Sequence, residues 1–210
     1  MGSKRALERR LSRVAGFETP RAEYEQYPTP ADVAAHLLHF AALTGDLADR
    51  TVIDLGTGTG MLALGAALRG PTRVVGVDRD VAALRTANEN EAHVDPPLPV
   101  DWVLGDATRP PLCPVDEPIT VVMNPPFGAQ RGHRHADRKF LAATAALADV
   151  SYSIHNEGSR SFVESFAADR GGRVTHAFRA EFALSRQFDF HTSERTTLDA
   201  EVYRVTWTHL

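Results

Sequence analysis

The chain has 210 residues, a formal net charge of −4 and a single cysteine. This length suits one domain with an ample core, and the weak negative charge limits any nucleic-acid contact to a local patch. One cysteine, Cys113, excludes an intrachain disulfide and a zinc site built from cysteines, and the nine scattered histidines predict no metal cofactor. The charged N-terminus lacks a signal-peptide core and no segment suits a membrane span, so we expect a cytoplasmic protein.

The first part of the chain predicts two helices. The opening, residues 1–13, is basic and has apolar residues at helical spacing. Thr29 is predicted as the N-cap of the second helix, with Pro30 in its first position and Asp32 completing a capping box. This second helix is predicted to run to about Leu43.

From residue 51 onward, short apolar runs alternate with helical patterns, which is typical of a parallel sheet covered by helices. The last two runs have almost no helix between them, which predicts an antiparallel edge pair. We therefore predict an α/β fold with a Rossmann-like, doubly wound, mostly parallel seven-stranded sheet. It forms a single domain, 1–210, with an N-terminal helical segment 1–45 and a core 51–210. The predicted strands are 51–55, 73–77, 100–104, 119–123, 150–154, 174–182 and 198–206, and the later helices are 61–68, 80–92, 139–148 and 159–170.

A glycine-rich turn, Asp-Leu-Gly-Thr-Gly-Thr-Gly at residues 54–60, follows the first predicted strand. Ligands of doubly wound sheets bind beyond the carboxyl ends of the strands, and Gly56 and Gly58 permit close approach of the backbone to a ligand. Asp54 disfavours a phosphate and suits the positively charged methionine end of S-adenosylmethionine. Asp78 ends the second strand, where a carboxylate can accept both hydroxyls of a ribose. Asp106 follows the third strand, where its side chain or the adjacent backbone can bond an adenine amine.

Each of these carboxylates also has an alternative structural role. Asp54 would cap the glycine turn, Asp78 would N-cap the helix that starts near Asp80, and Asp106 would initiate a turn. Three acidic residues at three successive strand ends favour the cofactor role, because a glycine turn alone is a weak indication.

The sequence Asn124-Pro125-Pro126-Phe127 follows a fourth apolar run and predicts a clamp for a planar amine. An exocyclic amine is a poor nucleophile because its lone pair is delocalised into the ring or carbonyl that bears it. The Asn124 side-chain oxygen and the Pro125 carbonyl can accept its two N–H groups, while both prolines fix the backbone and lack competing donors. The ring of Phe127 offers a surface on which the substrate can stack.

The segment after the clamp is basic and predicts contact with RNA phosphates. The alternative is an ordinary solvated loop, and the composition does not decide between them. The arginines near the N-terminus are a second candidate patch, although an ordinary exposed helix explains them as well. The candidate RNA-binding residues of the loop are Arg131, Arg134, Arg138 and Lys139, and those of the N-terminus are Arg5, Arg9, Arg10 and Arg13.

Several of these motifs together resemble a known family. The glycine turn and Asn-Pro-Pro-Phe-Gly at 124–128 are similar to those of class I S-adenosylmethionine-dependent amino-methyltransferases. With Glu-Gln-Tyr-Pro-Thr at 25–29, Tyr-Ser-Ile-His at 152–155 and Phe-Asp-Phe-His at 188–191, the chain resembles the methyltransferase-like protein five family. That family comprises adenosine N6-methyltransferases of small-subunit ribosomal RNA and related archaeal proteins. The resemblance extends from Tyr24 to the C-terminus.

The resemblance implies a class I methyltransferase fold, S-adenosylmethionine as cofactor and ribosomal RNA as substrate. It implies direct transfer to a flipped adenine held by residues 124–127, with the N-terminal segment folded over the cofactor. Eukaryotic members act with a small zinc-binding activator protein, which implies a possible heterodimer here. The cofactor-binding residues that the motifs and the resemblance together indicate are Gln26, Tyr27, Thr29, Asp54, Gly56, Gly58, Thr59, Asp78, Asp106, Ala107 and Asn124.

Three other functions remain open from the sequence. Protein glutamine N5-methyltransferases use a similar clamp, but they usually carry a separate N-terminal domain, and only about 50 residues precede Thr51 here. DNA adenine methyltransferases usually carry a dedicated recognition region, and none is evident. A non-catalytic binding module on the same fold is the third, and both Asp78 and Asn124 argue against it.

Overall fold

A computed structural model of the chain describes residues 2–113, 116–126, 136–185 and 195–208. The strands are β1 (Thr51–Leu55), β2 (Arg73–Asp78), β3 (Val100–Leu104), β4 (Ile119–Met123), β5 (Val150–Asn156), β6 (Gly172–Ser185) and β7 (Arg195–Trp207). They form a seven-stranded sheet in the order β3-β2-β1-β4-β5-β7-β6. The first five strands in that order are parallel, and β7 runs antiparallel to both of its neighbours. The predicted doubly wound sheet with an antiparallel edge pair is therefore confirmed.

Helices cover both faces of the sheet, and this is why β1 and β4 are buried along their whole length. The helices are α1 (Lys4–Leu11), α2 (Ala31–Leu43), α3 (Met61–Ala67), α4 (Val81–Val94), α5 (Ala136–Leu147) and α6 (Arg160–Ala168). Successive side chains of a strand point to opposite faces, so Val52 joins the core cluster under α1, α2 and α3, whereas Ile53 joins the cluster under α5 and α6. No helix within the described ranges is long and apolar enough to cross a membrane.

The predicted cap of α2 is wrong. Pro30 occupies the N-cap position in an extended conformation, and no side chain caps this helix. The Thr29 hydroxyl instead accepts a hydrogen bond of 3.0 Å from Asn124 Nδ2. The Thr29 side chain therefore makes a tertiary contact and does not cap the helix, and the capping box with Asp32 does not form.

Several other boundaries differ from prediction, and the largest differences are in α5, β6 and β7. Helix α5 begins at Ala136, three residues before the predicted start at Lys139. Strands β6 and β7 are longer than predicted because they pair with each other as far as Ser185 and Arg195, whereas β5 pairs with β7 only as far as Asn156 and Ala200. A hairpin satisfies its own backbone groups, so it continues past the end of the sheet.

A buried ion pair that the sequence did not indicate joins the end of α2 to the late strands. Arg204 Nε donates to Asp46 Oδ2 at 2.7 Å, and the Tyr152 hydroxyl donates to the same oxygen. Burial alone would raise the pKa of Asp46, but the hydrogen bonds from Arg204, Tyr152 and Thr44 lower it below its usual value. The Tyr152 of the Tyr-Ser-Ile-His sequence thus has a structural role in this network.

Candidate active site

A cavity of about 540 Å³ opens at the carboxyl ends of β1, β2 and β4. The strand order reverses between β1 and β4, and this reversal creates a crevice where doubly wound sheets bind ligands. Residues of the N-terminal segment, of the glycine turn and of α5 line the cavity together with the strand ends. Its volume is within the usual range for small-molecule and cofactor sites.

Glycine is required in the turn by both conformation and space. Gly56 and Gly58 have φ values of 75° and 54°, in the left-handed region that glycine favours. A Cβ atom on Gly56 would lie 3.0 Å from the ring of Phe140, and one on Gly58 would lie 2.9 Å from the ring of Phe17. Two aromatic rings therefore pack against the turn and leave no room for a side chain at Gly56 or Gly58. The backbone of both glycines lines the cavity.

Asp54 stabilises the glycine turn through hydrogen bonds and does not line this cavity. Its Oδ2 atom accepts hydrogen bonds from Thr57 Oγ1 at 2.7 Å and from the Ala63 amide at 3.0 Å. Burial raises the pKa of Asp54 to about 7, although both hydrogen bonds favour the charged form. Asp54 lines a smaller cavity of about 40 Å³ with Thr59 and Asn124. The observed contacts match the alternative role as a cap of the turn, and a role in cofactor binding stays a prediction.

The raised pKa of Asp54 makes stability dependent on pH. A carboxyl whose pKa is higher in the folded state contributes its full stability below the ordinary value of 3.8 and loses it as the pH rises through about 7. We therefore expect the unfolding free energy of the wild type, relative to that of Asp54→Asn, to fall as the pH rises between these values. Chemical denaturation of both proteins across this range, without cofactor, measures the difference. Parallel pH profiles would show that Asp54 does not titrate as described.

Asp78 reaches the cavity at the end of β2. Its Oδ2 atom accepts a hydrogen bond of 2.8 Å from the Gly58 amide, and its Oδ1 atom accepts one of 2.9 Å from the Asp80 amide. Burial raises the pKa of Asp78, and the nearby charge of Asp80 adds to this rise. The N-cap of α4 is Asp80, which accepts from the Ala82 amide, so the alternative role of Asp78 as helix cap is wrong.

Asp106 and Ala107 also line the cavity, on the side of β3. The Asp106 carboxylate accepts hydrogen bonds from the amide and the hydroxyl of Thr108, both at 2.8 Å. These bonds lower the pKa of Asp106. The side chain thus initiates a turn, as the alternative role required, and the same turn brings the buried Ala107 to the cavity wall.

The N-terminal segment forms one wall of the cavity with Gln26 and Tyr27. Gln26 Oε1 accepts from the Arg21 amide at 2.8 Å, and Gln26 Nε2 donates to Asp80 Oδ2 at 2.8 Å. The guanidinium groups of Arg21 and Arg79 lie 5.6 Å and 5.3 Å from the ring centroid of Tyr24. Sequence reasoning missed several lining residues, among them Phe17, Tyr24, Arg79 and Phe140. Phe17 and Phe140 are far from the glycine turn in the sequence, so no local pattern indicated them, whereas Arg79 directly follows Asp78.

Asn124 lies where β4 ends, on the cavity wall. Its Nδ2 group donates to the Thr29 hydroxyl at 3.0 Å, which fixes the direction of the amide. Among the residues that the structure describes, none donates a hydrogen bond to Asn124 Oδ1, although this atom is buried. A buried acceptor without a donor is costly, so this oxygen suits a ligand that brings an N–H group. Pro126 lines the same wall, and Phe127 lies outside the described residues.

The predicted RNA-binding residues are only partly described. Arg131 and Arg134 lie outside the described residues. Lys139 lines the cavity, whereas the Arg138 guanidinium lies 4.9 Å from the ring centroid of Phe162 on α6. Of the N-terminal arginines, Arg10 is bound to the C-terminus of α4 through the carbonyls of Val94 and Asp95.

The strand order, the glycine turn and the polar cavity define a class I methyltransferase fold. The model of the methyltransferase small domain family matches residues 29–174. The chain therefore belongs to this family, and within it to the methyltransferase-like protein five group. An rRNA N6-adenosine methyltransferase of Drosophila melanogaster, Mettl5, is 32% identical over 95% of this chain and 94% of its own length.

Archaeal proteins are similar over the whole length. An uncharacterised protein of Methanocaldococcus jannaschii, MJ0284, is 33% identical over 98% of this chain and 94% of its own length. The crystal structure of the Pyrococcus horikoshii protein PH1948 covers 100% of both chains at 36% identity, with a TM-score of 0.87. The relatives thus share the full architecture and not only the glycine turn.

Proposed function

We propose that this protein is an S-adenosylmethionine-dependent RNA methyltransferase that modifies N6 of an adenosine in small-subunit ribosomal RNA. The buried Asn124 Oδ1 atom, without a donor among the described residues, is the observation that carries the proposal. The activity printed for the Drosophila relative and its similarity along nearly the whole chain support the same substrate.

The residues present fit the cofactor. Left-handed glycines expose backbone beside the cavity, and the carboxylate of Asp78 lines the cavity and would hold the ribose. Ala107 and the adjacent turn would contact the adenine ring, and the N-terminal segment 1–45, with Gln26 and Tyr27, would cover the bound molecule. Asp54 and Thr59 would lie at the methionine end, below the turn.

Catalysis would depend mainly on orientation. Asn124 Oδ1 and the Pro125 carbonyl would accept the two N6 hydrogens of a flipped adenine, which turns the lone pair of N6 away from the clamp and toward the cofactor. Thr29 holds the Asn124 amide in the required direction. The bound S-adenosylmethionine, held by residues such as Asp78, would supply an electrophilic methyl group to N6, and the electron pair of the methyl–sulfur bond would remain on sulfur. The surplus proton of N6 then leaves to water, and no strong base is needed.

The substrate RNA would reach the site along the side where Lys139 lies, and Phe127, Arg131, Arg134 and Arg138 belong to the same proposal. The family resemblance also leads us to propose a small zinc-binding activator as a partner and a cytoplasmic location. Strand β3 lies at the edge of the sheet that the described residues form, and its Leu104 is 58% exposed, which is consistent with a protein partner on that side.

The test is transfer of a labelled methyl group from S-adenosylmethionine to deproteinised small-subunit ribosomal RNA, followed by nucleoside analysis. The reaction is run with the protein alone and with a small zinc-binding candidate partner. We expect N6-methyladenosine as the labelled product. Parallel reactions contain a protein substrate or DNA in place of the RNA. Label on a glutamine or on DNA adenine there, without label on RNA, would replace the proposed substrate, and cofactor binding without any transfer would indicate a binding module.

A further inference from the structure

The N-terminal segment runs along α4 in the opposite direction and is bound to it at three points. Arg10 Nη2 donates to the Asp95 carbonyl at 2.6 Å, just beyond the C-terminus of the helix. Asn90, one turn earlier, bonds to the backbone of Ala15. Gln26 bonds to Asp80 at the N-cap. The chain between the last two contacts, about ten residues, forms the wall of the cavity described above.

Asn90 is the buried contact in the middle, with 1% of its surface exposed. Its Oδ1 atom accepts from the Ala15 amide at 2.8 Å, and its Nδ2 group donates to the Ala15 carbonyl at 3.0 Å. The same Nδ2 group donates to the Thr59 carbonyl at 2.9 Å. Both donors and one acceptor of the amide are therefore used, which only asparagine can supply at this length.

These three bonds join two separate walls of the cavity through a residue that does not line it. Thr59 belongs to the glycine turn, and Ala15 lies two residues before Phe17. The ring of Phe17 lies over Gly58, so close that a Cβ atom there would be 2.9 Å away. Asn90 is hydrogen-bonded to both Ala15 and Thr59, so it links the segment that carries Phe17 to the glycine turn.

We infer that Asn90 is a positioning residue for the cofactor site, holding the N-terminal segment against the glycine turn so that Phe17 closes the cavity. This inference rests on the proposed cofactor. Asn90 does not touch the cavity, so its effect passes through the backbone of Ala15 and Thr59. Its loss therefore lowers the affinity for S-adenosylmethionine, because part of the binding energy must then order the segment. The rate at saturating cofactor changes little.

The test compares Asn90→Ala and Asn90→Asp with the wild type, with Asn88→Ala as the matched control. Asn88 is the same residue type on the same helix, but it is exposed. Hydrogen exchange measures the protection of the Ala15 amide, and calorimetry measures the dissociation constant for S-adenosylmethionine. We expect exchange of residues 14–20 to accelerate at least about tenfold in both Asn90 variants, and the dissociation constant to rise roughly 10-fold to 100-fold. Asn88→Ala should match the wild type in both measurements.

Asn90→Asp keeps the acceptor for the Ala15 amide and loses both donors, so it remains informative if Asn90→Ala fails to fold. A double-mutant cycle with Phe17→Ala tests the route. If Asn90 acts through Phe17, the double variant binds cofactor no more weakly than Phe17→Ala alone. Unchanged cofactor affinity in a folded Asn90 variant overturns the inference, as does full additivity with Phe17→Ala.

Failure of the proposed function can be distinguished from failure of this inference. If the wild type binds S-adenosylmethionine but methylates no RNA, the substrate is wrong and the affinity comparison still decides the role of Asn90. If the wild type does not bind S-adenosylmethionine at all, the cofactor role of Asn90 is overturned together with the proposed function. The exchange of the Ala15 amide then shows whether Asn90 orders the segment for purely structural reasons.

Discussion

Asn124→Ala is expected to lower the rate of methyl transfer by roughly 10³-fold while changing the affinity for S-adenosylmethionine no more than about threefold. The variant removes the buried Oδ1 acceptor that would hold N6 of the substrate, and leaves the glycine turn and Asp78 in place. Single-turnover transfer to ribosomal RNA measures the first quantity, and calorimetry with S-adenosylmethionine measures the second.

The matched control for this experiment is Asn156→Ala. Asn156 ends β5, the strand next to β4, and does not line the cavity. A normal rate of methyl transfer by Asn124→Ala would contradict the proposed role of Asn124 in the clamp. A Thr29→Val variant adds a finer comparison, because it keeps Asn124 and removes only the hydroxyl that fixes its amide. An intermediate loss of rate in Thr29→Val would support the importance of orientation.

Asp78→Ala is expected to weaken binding of S-adenosylmethionine by at least about 100-fold. Two charge-assisted hydrogen bonds to a ribose would be lost, and each is worth roughly 1.5–3 kcal/mol. The same carboxylate also binds the Gly58 amide, so the turn loses a support as well. Asp78→Asn separates these effects, because the amide oxygen can still accept from Gly58 while the charge is gone. Calorimetry on both variants gives the affinities.

Asp101→Ala is the control for Asp78. Asp101 is an aspartate on the neighbouring strand β3, where it forms an exposed ion pair with Arg73. Its removal should leave cofactor affinity unchanged, and an exposed pair of this kind contributes little to stability. Equal affinities for Asp78→Ala and the wild type would place the ribose elsewhere in the cavity.

The boundaries that were predicted well are those that local patterns control. Strands β1, β3 and β4 begin and end where predicted. β1 and β4 are short, mostly apolar segments between turns, as is typical of strands buried on both faces, whereas the edge strand β3 is partly exposed. The placement of Gly58, Asp78 and Asn124 around one cavity also agrees with the sequence, because carboxyl ends of parallel strands meet at one edge.

The failures share a different cause. Thr29 reads as a helix cap from its neighbours, but its hydroxyl is bound to Asn124, 95 positions away. The ion pair between Asp46 and Arg204 joins residues 158 positions apart. Propensity and periodicity describe only a few neighbouring residues. They therefore cannot predict that a side chain will bind a partner that is distant in the sequence.

The sequence by itself determined the α/β class, the mostly parallel sheet and the strand ends that carry the site. Periodicity and turn residues act over short distances, so local sequence is enough to predict these features. Only the tertiary structure decided which carboxylates support the turn and which face the cavity, and that Asn90 binds Ala15 and Thr59 at once. Those roles depend on hydrogen bonds between segments whose proximity is set by packing of the whole chain.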